Sequence, residues 1–107
     1  MGAESAPDAL AKLPYLDAVC SETLRMHPPV PLVTRKLLGE FTLGPHTLPA
    51  GTVVGVGVYN AHNRAETFEA PSEFRPERFI QRTYSPFEYC PFGGGARRCL
   101  GAAFAMY

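Results

Sequence analysis

The sequence lacks charge imbalance, paired cysteines and long apolar runs. Ten basic and ten acidic residues give a net charge of zero, which excludes the basic surface expected of a protein that binds nucleic acid or an anionic membrane. Three cysteines with no recognisable signal peptide argue against a disulfide scaffold. Their spacing relative to the three histidines does not match a zinc site. The most apolar run, Val53 to Tyr59, is too short to cross a bilayer.

The composition that is present predicts one small globular, loop-rich domain. The chain has 107 residues, of which 46% are apolar, enough for one core. Eleven prolines and ten glycines indicate many turns. We expect residues 1–12 to be a lead-in, either disordered or a short helix, and residues 13–107 to form the domain.

A helix is predicted between two proline signals. Pro14 favours a helix start, and Pro28 and Pro29 end the helix near His27. Four residues at helical spacing form an apolar face that we expect to be buried, so that Cys20 becomes a small core residue. They are Leu16, Val19, Cys20 and Leu24.

The same helix carries Glu22 and Arg25, three residues apart and therefore neighbours on its surface. On spacing alone, an ordinary surface ion pair contributing ~0–1 kcal/mol explains them best.

The middle of the chain is predicted to be extended and turn-rich. Residues 30–34 are extended, residues 38–48 form a hairpin about Gly44 and Pro45, and residues 52–58 form a further strand with one bare face at Gly55 and Gly57. Residues 59–64 form a short helical turn. His46 and His62 are interpreted as surface or turn histidines.

The segment from Phe92 to Gly101 holds Cys99 between a glycine-rich loop and the start of a predicted helix. A thiolate is the metal-binding form of cysteine, and it is favoured at helix N-termini and beside arginine, here Arg97 and Arg98. Consecutive glycines let the main chain approach a flat, bulky group. The alternative is that Cys99 is a buried structural cysteine beside a glycine turn.

The segment F-x-x-G-x-R-x-C-x-G resembles the haem-binding loop of cytochrome P450. All five fixed positions match: Phe92, Gly95, Arg97, Cys99 and Gly101. The helix with E-x-x-R resembles the family's K helix, and Pro76 to Phe79 resembles its P-E-R-F loop. The resemblance runs from Leu13 to Met106, and only Ala65 to Phe68 departs from the commonest family form.

The resemblance implies an α+β fold class, as the C-terminal piece of a mostly helical fold. Its parts are a K helix, a small β-sheet with a hairpin, a meander loop, the cysteine loop and a truncated L helix. We therefore expect the chain to be a fragment.

The resemblance also implies the cofactor-binding residues. Cys99 would be the axial ligand of the iron of haem b, iron protoporphyrin IX, with Phe92 and Gly101 beside it. Arg97 and Arg35 would bind haem propionates, although Arg35 could instead be a solvated arginine at a strand end. Arg98 would face outward, either towards a redox partner or simply into solvent.

Further implied roles are structural and substrate-binding. Glu22, Arg25 and Arg78 would form a buried triad that fixes the cysteine loop, while Arg75 and Arg82 are expected to be solvated. Val30, Pro31, Leu32 and Val33 would line the substrate pocket, with plain core strand as the alternative for each.

The implied reaction is insertion of one oxygen atom from O2 into a small hydrophobic organic substrate. Electrons would come from NAD(P)H through a ferredoxin- or flavodoxin-type donor or a reductase. The motif style indicates a soluble, cytoplasmic, bacterial-type member and leaves open a membrane anchor in a preceding segment. The alternative is a truncated, catalytically inactive haem-binding or structural remnant, and we expect the 107 residues alone to be inactive.

Overall fold

The computed structural model describes residues 7–10 and 12–107. Within the predicted lead-in, a helical turn, α1, spans Pro7–Leu10, and the prediction for residues 1–6 and 11 lies outside the described residues. Helix α2 spans Pro14–Met26 with proline in its first turn, and the His27 N–H caps it by donating to Thr23 O. Both ends agree with the proline pattern, because proline fits the first turn and disfavours helix in the residue before it.

Four strands follow as two separate antiparallel pairs. Strand β1 (Leu32–Lys36) pairs with β4 (Val53–Gly57). Strand β2 (Phe41–Leu43) pairs with β3 (His46–Leu48) in the predicted hairpin. Gly44 turns this hairpin at a φ of 56°, in the left-handed region that favours glycine.

The bare face of β4 receives side chains of β1. In the register of the pair, Gly55 lies opposite Thr34 and Gly57 opposite Leu32. A Cβ atom placed on Gly55 would lie 3.0 Å from Leu32 Cδ1. Glycine therefore makes room for Leu32 across the pair.

Three short helices complete the described chain. Helix α3 spans Val58–His62, so it begins one residue before the helical turn predicted at 59–64 and ends before residue 64, while the preceding strand ends at Gly57 rather than at residue 58. Helix α4 spans Arg78–Gln81 and packs against α2. After a 3₁₀ turn at Gly95–Arg97, helix α5 spans Ala102–Ala105.

The face that α2 buries is not its apolar face. The buried stripe recurs at i, i+3, i+4 and i+7, as a packed helix face should, but it consists of Ala18, Ser21, Glu22 and Arg25. The prediction that Cys20 lies in the core is wrong, because Cys20 belongs to the opposite face and is exposed. Leu16 on that face is 41% exposed.

An aromatic cluster forms the apolar part of the core. Phe68 is fully buried, and its ring centroid lies 4.7 Å from that of Tyr84. Phe79 packs edge-on against both Tyr84 and Tyr89, at 5.2 and 4.8 Å. These rings join α4 to the loop that precedes the cysteine segment, since Tyr84 and Tyr89 belong to that loop.

The chain is more extended than a compact domain of its length. The radius of gyration is 17.2 Å, whereas a compact chain of this length is expected near ~13 Å. Several large apolar side chains are almost fully exposed, including Leu38, Phe87 and Leu100. The described residues therefore form a small core with extended, uncovered apolar surface.

We predict that Phe68→Ala lowers the free energy of unfolding by about 3–5 kcal/mol, because it removes a fully buried ring from a packed cluster. Phe87→Ala is the matched control, because Phe87 is 93% exposed and its loss should change stability by less than about 0.5 kcal/mol. Urea denaturation followed by far-UV circular dichroism measures both. Equal losses in the two variants would contradict the assignment of Phe68 to the core.

Candidate functional site

A single carboxylate organises the buried polar part of the structure. Glu22 is fully buried on α2, and its neighbour Arg25, one turn on, is fully buried as well. Arg25 Nε donates to Glu22 Oε2 at 2.7 Å, and Arg25 Nη2 donates to Glu22 Oε1 at 2.8 Å. This is the two-pronged geometry in which an arginine fork matches a carboxylate. The interpretation as an ordinary surface pair, the best one on spacing alone, does not hold.

Two further donors reach the same carboxylate from the P-E-R-F loop. Arg78 Nε donates to Glu22 Oε1 at 3.1 Å, across 56 positions of sequence. The main-chain N–H of Arg75 also donates to Oε1, at 3.0 Å. The structure thus brings Glu22, Arg25 and Arg78 together, and each polar side-chain atom buried in the described part of the chain has a hydrogen-bond partner.

The guanidiniums of Arg25 and Arg78 also donate hydrogen bonds to main-chain carbonyl oxygens. Arg25 donates to three of them, and the shortest of these bonds, 2.8 Å, goes to His62. Arg78 also donates to three. The acceptors lie between the last residue of α3 and the start of α4, and they are His62, Glu69, Ala70, Pro71 and Glu73. The two arginines therefore hold this irregular segment in place as well as the carboxylate.

The Phe68 ring lies beneath both guanidiniums. The Arg25 guanidinium carbon is 5.2 Å from the ring centroid and that of Arg78 is 6.0 Å, within the range of cation–π attraction. Burial opposes ionisation of Glu22, but hydrogen bonds from Arg25 and the Arg75 N–H, with both arginine charges, bring the pKa of Glu22 below its ordinary value. Glu22 is accordingly the anion of a fully bonded buried pair.

The cysteine loop is a separate, exposed structure. Gly93 and Gly95 adopt φ values of 72° and 65°, which only glycine adopts without strain. The Cys99 N–H donates to Phe92 O at 2.9 Å and closes the loop, while the Cys99 side chain is exposed. The alternative that Cys99 is a buried structural cysteine therefore does not describe the molecule.

The surroundings of Cys99 suit a flat apolar group with a metal ion. A Cβ added to Gly93, Gly94 or Gly95 would meet nothing within 4 Å, so the glycine face is open. Leu100 beside the thiol is fully exposed. An exposed sulfur in an open glycine-rich loop, with apolar Leu100 next to it in the sequence, fits a haem held through one thiolate, because sulfur is a soft ligand for iron.

The remaining predicted site residues lie on two other parts of the chain. Arg97 ends the 3₁₀ turn within the cysteine loop and is exposed. Arg35 lies on β1 and is exposed, with its Nη1 donating to Thr34 O. The four candidate pocket residues precede or begin β1. Val30, Pro31 and Leu32 are exposed and Val33 is half-buried.

One prediction about a side chain near the network is wrong. His62 was predicted to lie at the surface, but it is fully buried. Its nitrogens bond to the main chain of Arg25 and Cys90, which local sequence does not reveal. Arg75 and Arg82 are partly solvated, as predicted, but each also pairs with a glutamate, Glu73 and Glu88 respectively.

Tyr89 is a further residue that sequence reasoning missed. Its hydroxyl donates to Ser21 O on α2 at 3.1 Å, and its ring stacks on His62 at 5.2 Å. Burial raises the pKa of Tyr89 to about 12, so the hydroxyl remains a donor at neutral pH. Only its aromatic character, in a loop with two prolines, could have indicated a buried position.

Comparison with known proteins decides the family. The family model for Cytochrome P450 matches residues 3–107. The chain belongs to the cytochrome P450 family. It is 40% identical over 109 residues to the putative cytochrome P450 137 of Mycobacterium tuberculosis, and 41% identical over 103 residues to cytochrome P450 4d8 of Drosophila melanogaster. These alignments cover 94% and 91% of the chain, but 23% and 22% of the relatives.

Solved cytochrome P450 structures share the fold. The retinoic acid-bound cyanobacterial CYP120A1 matches with a TM-score of 0.86 and 36% identity, over 96% of this chain and 25% of that one. A zebrafish cytochrome P450 with progesterone matches with a TM-score of 0.83 and 31% identity, over 97% of this chain and 24% of that one. The predicted family and α+β fold class are confirmed. The chain spans about a quarter of the length of the cytochrome P450 proteins it matches.

Neither a membrane-spanning helix nor a multi-residue metal site is found in the part of the chain that the structure describes. No helix within residues 7–10 and 12–107 is long and apolar enough to cross a bilayer. The same residues contain no group of three or more histidine, cysteine or acidic side chains placed to hold a metal ion.

We predict that Arg78→Ala lowers the free energy of unfolding by about 3–5 kcal/mol, because it leaves the buried Glu22 carboxylate half-paired. Arg75→Ala should cost no more than about 1 kcal/mol, because it removes an exposed pair with Glu73 while its main-chain N–H still reaches Glu22. Urea denaturation of both variants at neutral pH makes the comparison. Similar losses would exclude a special role for Arg78 in the network.

Proposed function

We propose that this chain provides the haem-thiolate part of a monooxygenase, with Cys99 as the axial ligand of haem b. The observation that supports it is the exposed Cys99 thiol on an open glycine face, in a chain of the cytochrome P450 family. A haem bound through a thiolate activates dioxygen, because the sulfur donates electron density that favours O–O cleavage. The remaining contributions come from the residues of the chain.

The cysteine loop presents the sulfur and limits what surrounds it. Gly93 and Gly95 turn the main chain in left-handed conformations, and the Cys99 N–H bond to Phe92 O closes the turn. A Cβ on Gly101 would lie 3.9 Å from Cys99 Sγ. That distance is an ordinary van der Waals contact, so position 101 lies beside the sulfur, and Phe92 and Gly101 would serve the thiolate by shaping its surroundings.

Two exposed arginines are proposed to bind the haem carboxylates. Arg97 lies in the cysteine loop, two residues before Cys99, and Arg35 lies on β1. A guanidinium matches a carboxylate through two parallel N–H donors, and it stays charged at any working pH. Two arginines on separate elements would hold the haem through its carboxylates at two points.

The segment Val30–Val33 is proposed to contact a small hydrophobic organic substrate. Val30 and Leu32 are 53% and 57% exposed, so their apolar surface is available to a ligand. Two similar structures were solved with retinoic acid and with progesterone, which agrees with an apolar substrate class for this chain. Burial of such a ligand against valine and leucine is driven by removal of apolar area from water.

Electron supply and cellular location also belong to the proposal. Electrons would come from NAD(P)H through a ferredoxin, a flavodoxin or a reductase, and exposed Arg98 is a candidate contact for such a partner. That the enzyme is soluble, cytoplasmic and of bacterial type stays a prediction. The relatives do not decide it, because they come from a bacterium, insects and a mammal.

A second candidate function is haem binding without turnover by these residues alone. Its support is that Val30 and Leu32 are about half exposed, so that they do not by themselves shield a reacting centre from water. We expect the purified 107-residue chain with haem, a reductant and a redox partner to give no oxygenated product above a haem-only control. Sustained product formation, measured by mass spectrometry on a lipophilic substrate panel, would contradict this expectation.

We predict that Cys99→Ala abolishes the thiolate-type spectrum of the chain after haem titration, reduction and exposure to carbon monoxide, because it removes the axial sulfur. Cys90→Ala is the matched control. Cys90 is a half-buried free thiol nine residues earlier in the chain, and its loss should leave the spectrum in place. Identical spectra from the unmodified chain and Cys99→Ala would overturn the assignment of the ligand.

A further inference from the structure

One buried histidine is not accounted for by the proposed haem site. His62 ends helix α3 and is fully buried. Tyr89 stacks on its ring at 5.2 Å with an interplanar angle of 28°, and Phe68 packs edge-on at 6.5 Å. A buried imidazole without partners would be costly, so its hydrogen bonds explain why it is tolerated there.

The two partners of the ring determine which nitrogen carries the proton. The Cys90 N–H lies 3.0 Å from His62 Nε2, and a main-chain N–H can only donate. Nε2 therefore accepts and carries no hydrogen. Nδ1 lies 3.2 Å from Arg25 O, which can only accept, so Nδ1 donates. His62 is the neutral Nδ1–H tautomer, with both of its hydrogen-bonding groups used.

The imidazole ring of His62 links helix α2 to the loop that precedes Cys99, through hydrogen bonds to the main chain of Arg25 and of Cys90. Arg25 Nη1 donates to His62 O at 2.8 Å, so Arg25 and His62 are linked in both directions, main chain to side chain. Arg25 is itself fixed by the Glu22 carboxylate. On the other side, the Gly93 N–H donates to Cys90 O at 3.1 Å at the entrance to the cysteine loop. One imidazole thus connects the buried ion network to that entrance.

We propose that His62 is a positioning residue that sets where the Cys99 loop begins relative to the Glu22 network, by accepting a hydrogen bond from the Cys90 amide. The importance of this loop rests on the proposed haem function, but the tether itself does not require haem. Tyr89 helps to fix the ring, because it stacks on the imidazole and its own hydroxyl donates to Ser21 O on α2. Packing fixes the plane of the imidazole, and the two hydrogen bonds fix its direction.

Protonation would break this tether. An imidazolium has no free lone pair for the Cys90 N–H, and it would add a positive charge next to Arg25. The ionisable groups that contact the ring are Arg25, Tyr89 and Cys90, with Glu22 and Arg78 one hydrogen bond further away. Burial lowers the pKa of His62, the hydrogen bond to Arg25 raises it in part, and the Arg25 charge lowers it again.

The sign of the pH dependence follows from a pKa that is lower in the folded state. The unfolded chain binds the proton more readily, with a pKa of about 6.5. The contribution of neutral His62 to the free energy of unfolding is therefore fully present above about pH 6.5. It is lost as the pH falls from there towards the lower pKa of the folded state. The tether is accordingly intact at neutral pH.

The first test reads the tautomer and the tether in the haem-free chain. Two-bond ¹H–¹⁵N correlation spectra of ¹⁵N-histidine-labelled protein should show His62 as the neutral Nδ1–H tautomer, still neutral at a pH at which histidine in the urea-unfolded chain is already charged. A His62 that titrates as it does in the unfolded chain would overturn the proposal.

Three substitutions separate the hydrogen bonds from packing. His62→Phe keeps a ring for Tyr89 to stack on but offers no acceptor, so exchange of the Cys90 amide should accelerate about tenfold or more. Exchange of the Gly93 and Cys99 amides should accelerate with it. His62→Gln supplies an oxygen near the position of Nε2 and should restore most of the protection at Cys90. His46→Phe is the matched control and should change none of these rates.

The outcomes distinguish this proposal from the proposed function. Unchanged exchange at Gly93 and Cys99 in His62→Phe would mean that the ring does not position the loop, whatever the haem spectrum shows. Loss of protection that Gln restores would support the proposal even if the haem titration of the unmodified chain gave no thiolate spectrum. That spectrum tests the haem ligand alone.

Discussion

The structure depends on burial of the Glu22 carboxylate between two guanidiniums. Removing one carboxylate and two arginines from water costs several kcal/mol per ion, and this cost is offset only if every donor and acceptor is used. Arg25, Arg78 and the Arg75 N–H satisfy the carboxylate. Carbonyl oxygens of residues 62–73 satisfy the rest of the guanidiniums. A segment with little regular structure is thereby fixed by these hydrogen bonds to charged groups as well as by the packing of Phe68.

The cysteine loop relies on this network indirectly. Its internal order comes from left-handed glycines and from main-chain hydrogen bonds that the Arg98 and Cys99 N–H groups donate to Gly95 O and Phe92 O, and its sulfur is exposed. Contact with the rest of the fold comes through the residues just before it, where Tyr89 bonds to α2 and the Cys90 amide bonds to His62. A rigid support with an accessible sulfur is what a bound cofactor requires of its ligand loop.

Sequence reasoning succeeded where the pattern was local and failed where tertiary contacts overrode it. Proline set both ends of α2, and Gly44 marked the hairpin, because these residues restrict their own backbone. The apolar stripe through Leu16 and Cys20 led to a wrong prediction of the buried face, because α2 buries the stripe that carries Glu22 and Arg25 instead. His62 was misplaced because its partners, the main chain of Arg25 and Cys90, leave no trace in the nearby sequence. Motif resemblance supplied Arg78, which lies 56 positions from Glu22 and which spacing could not have paired with it.

The separation of Arg78 from Glu22 also constrains how the chain folds. Glu22 and Arg25 are three residues apart and meet as soon as α2 forms, whereas Arg78 joins from 56 positions away. The entropy of closing that long loop is lost before the carboxylate has its second guanidinium. Until then the pair on α2 stays hydrated, because burying it half-satisfied would cost more than it gains. Desolvation of the ions therefore belongs to the last steps of folding, and the helix that carries them forms among the first.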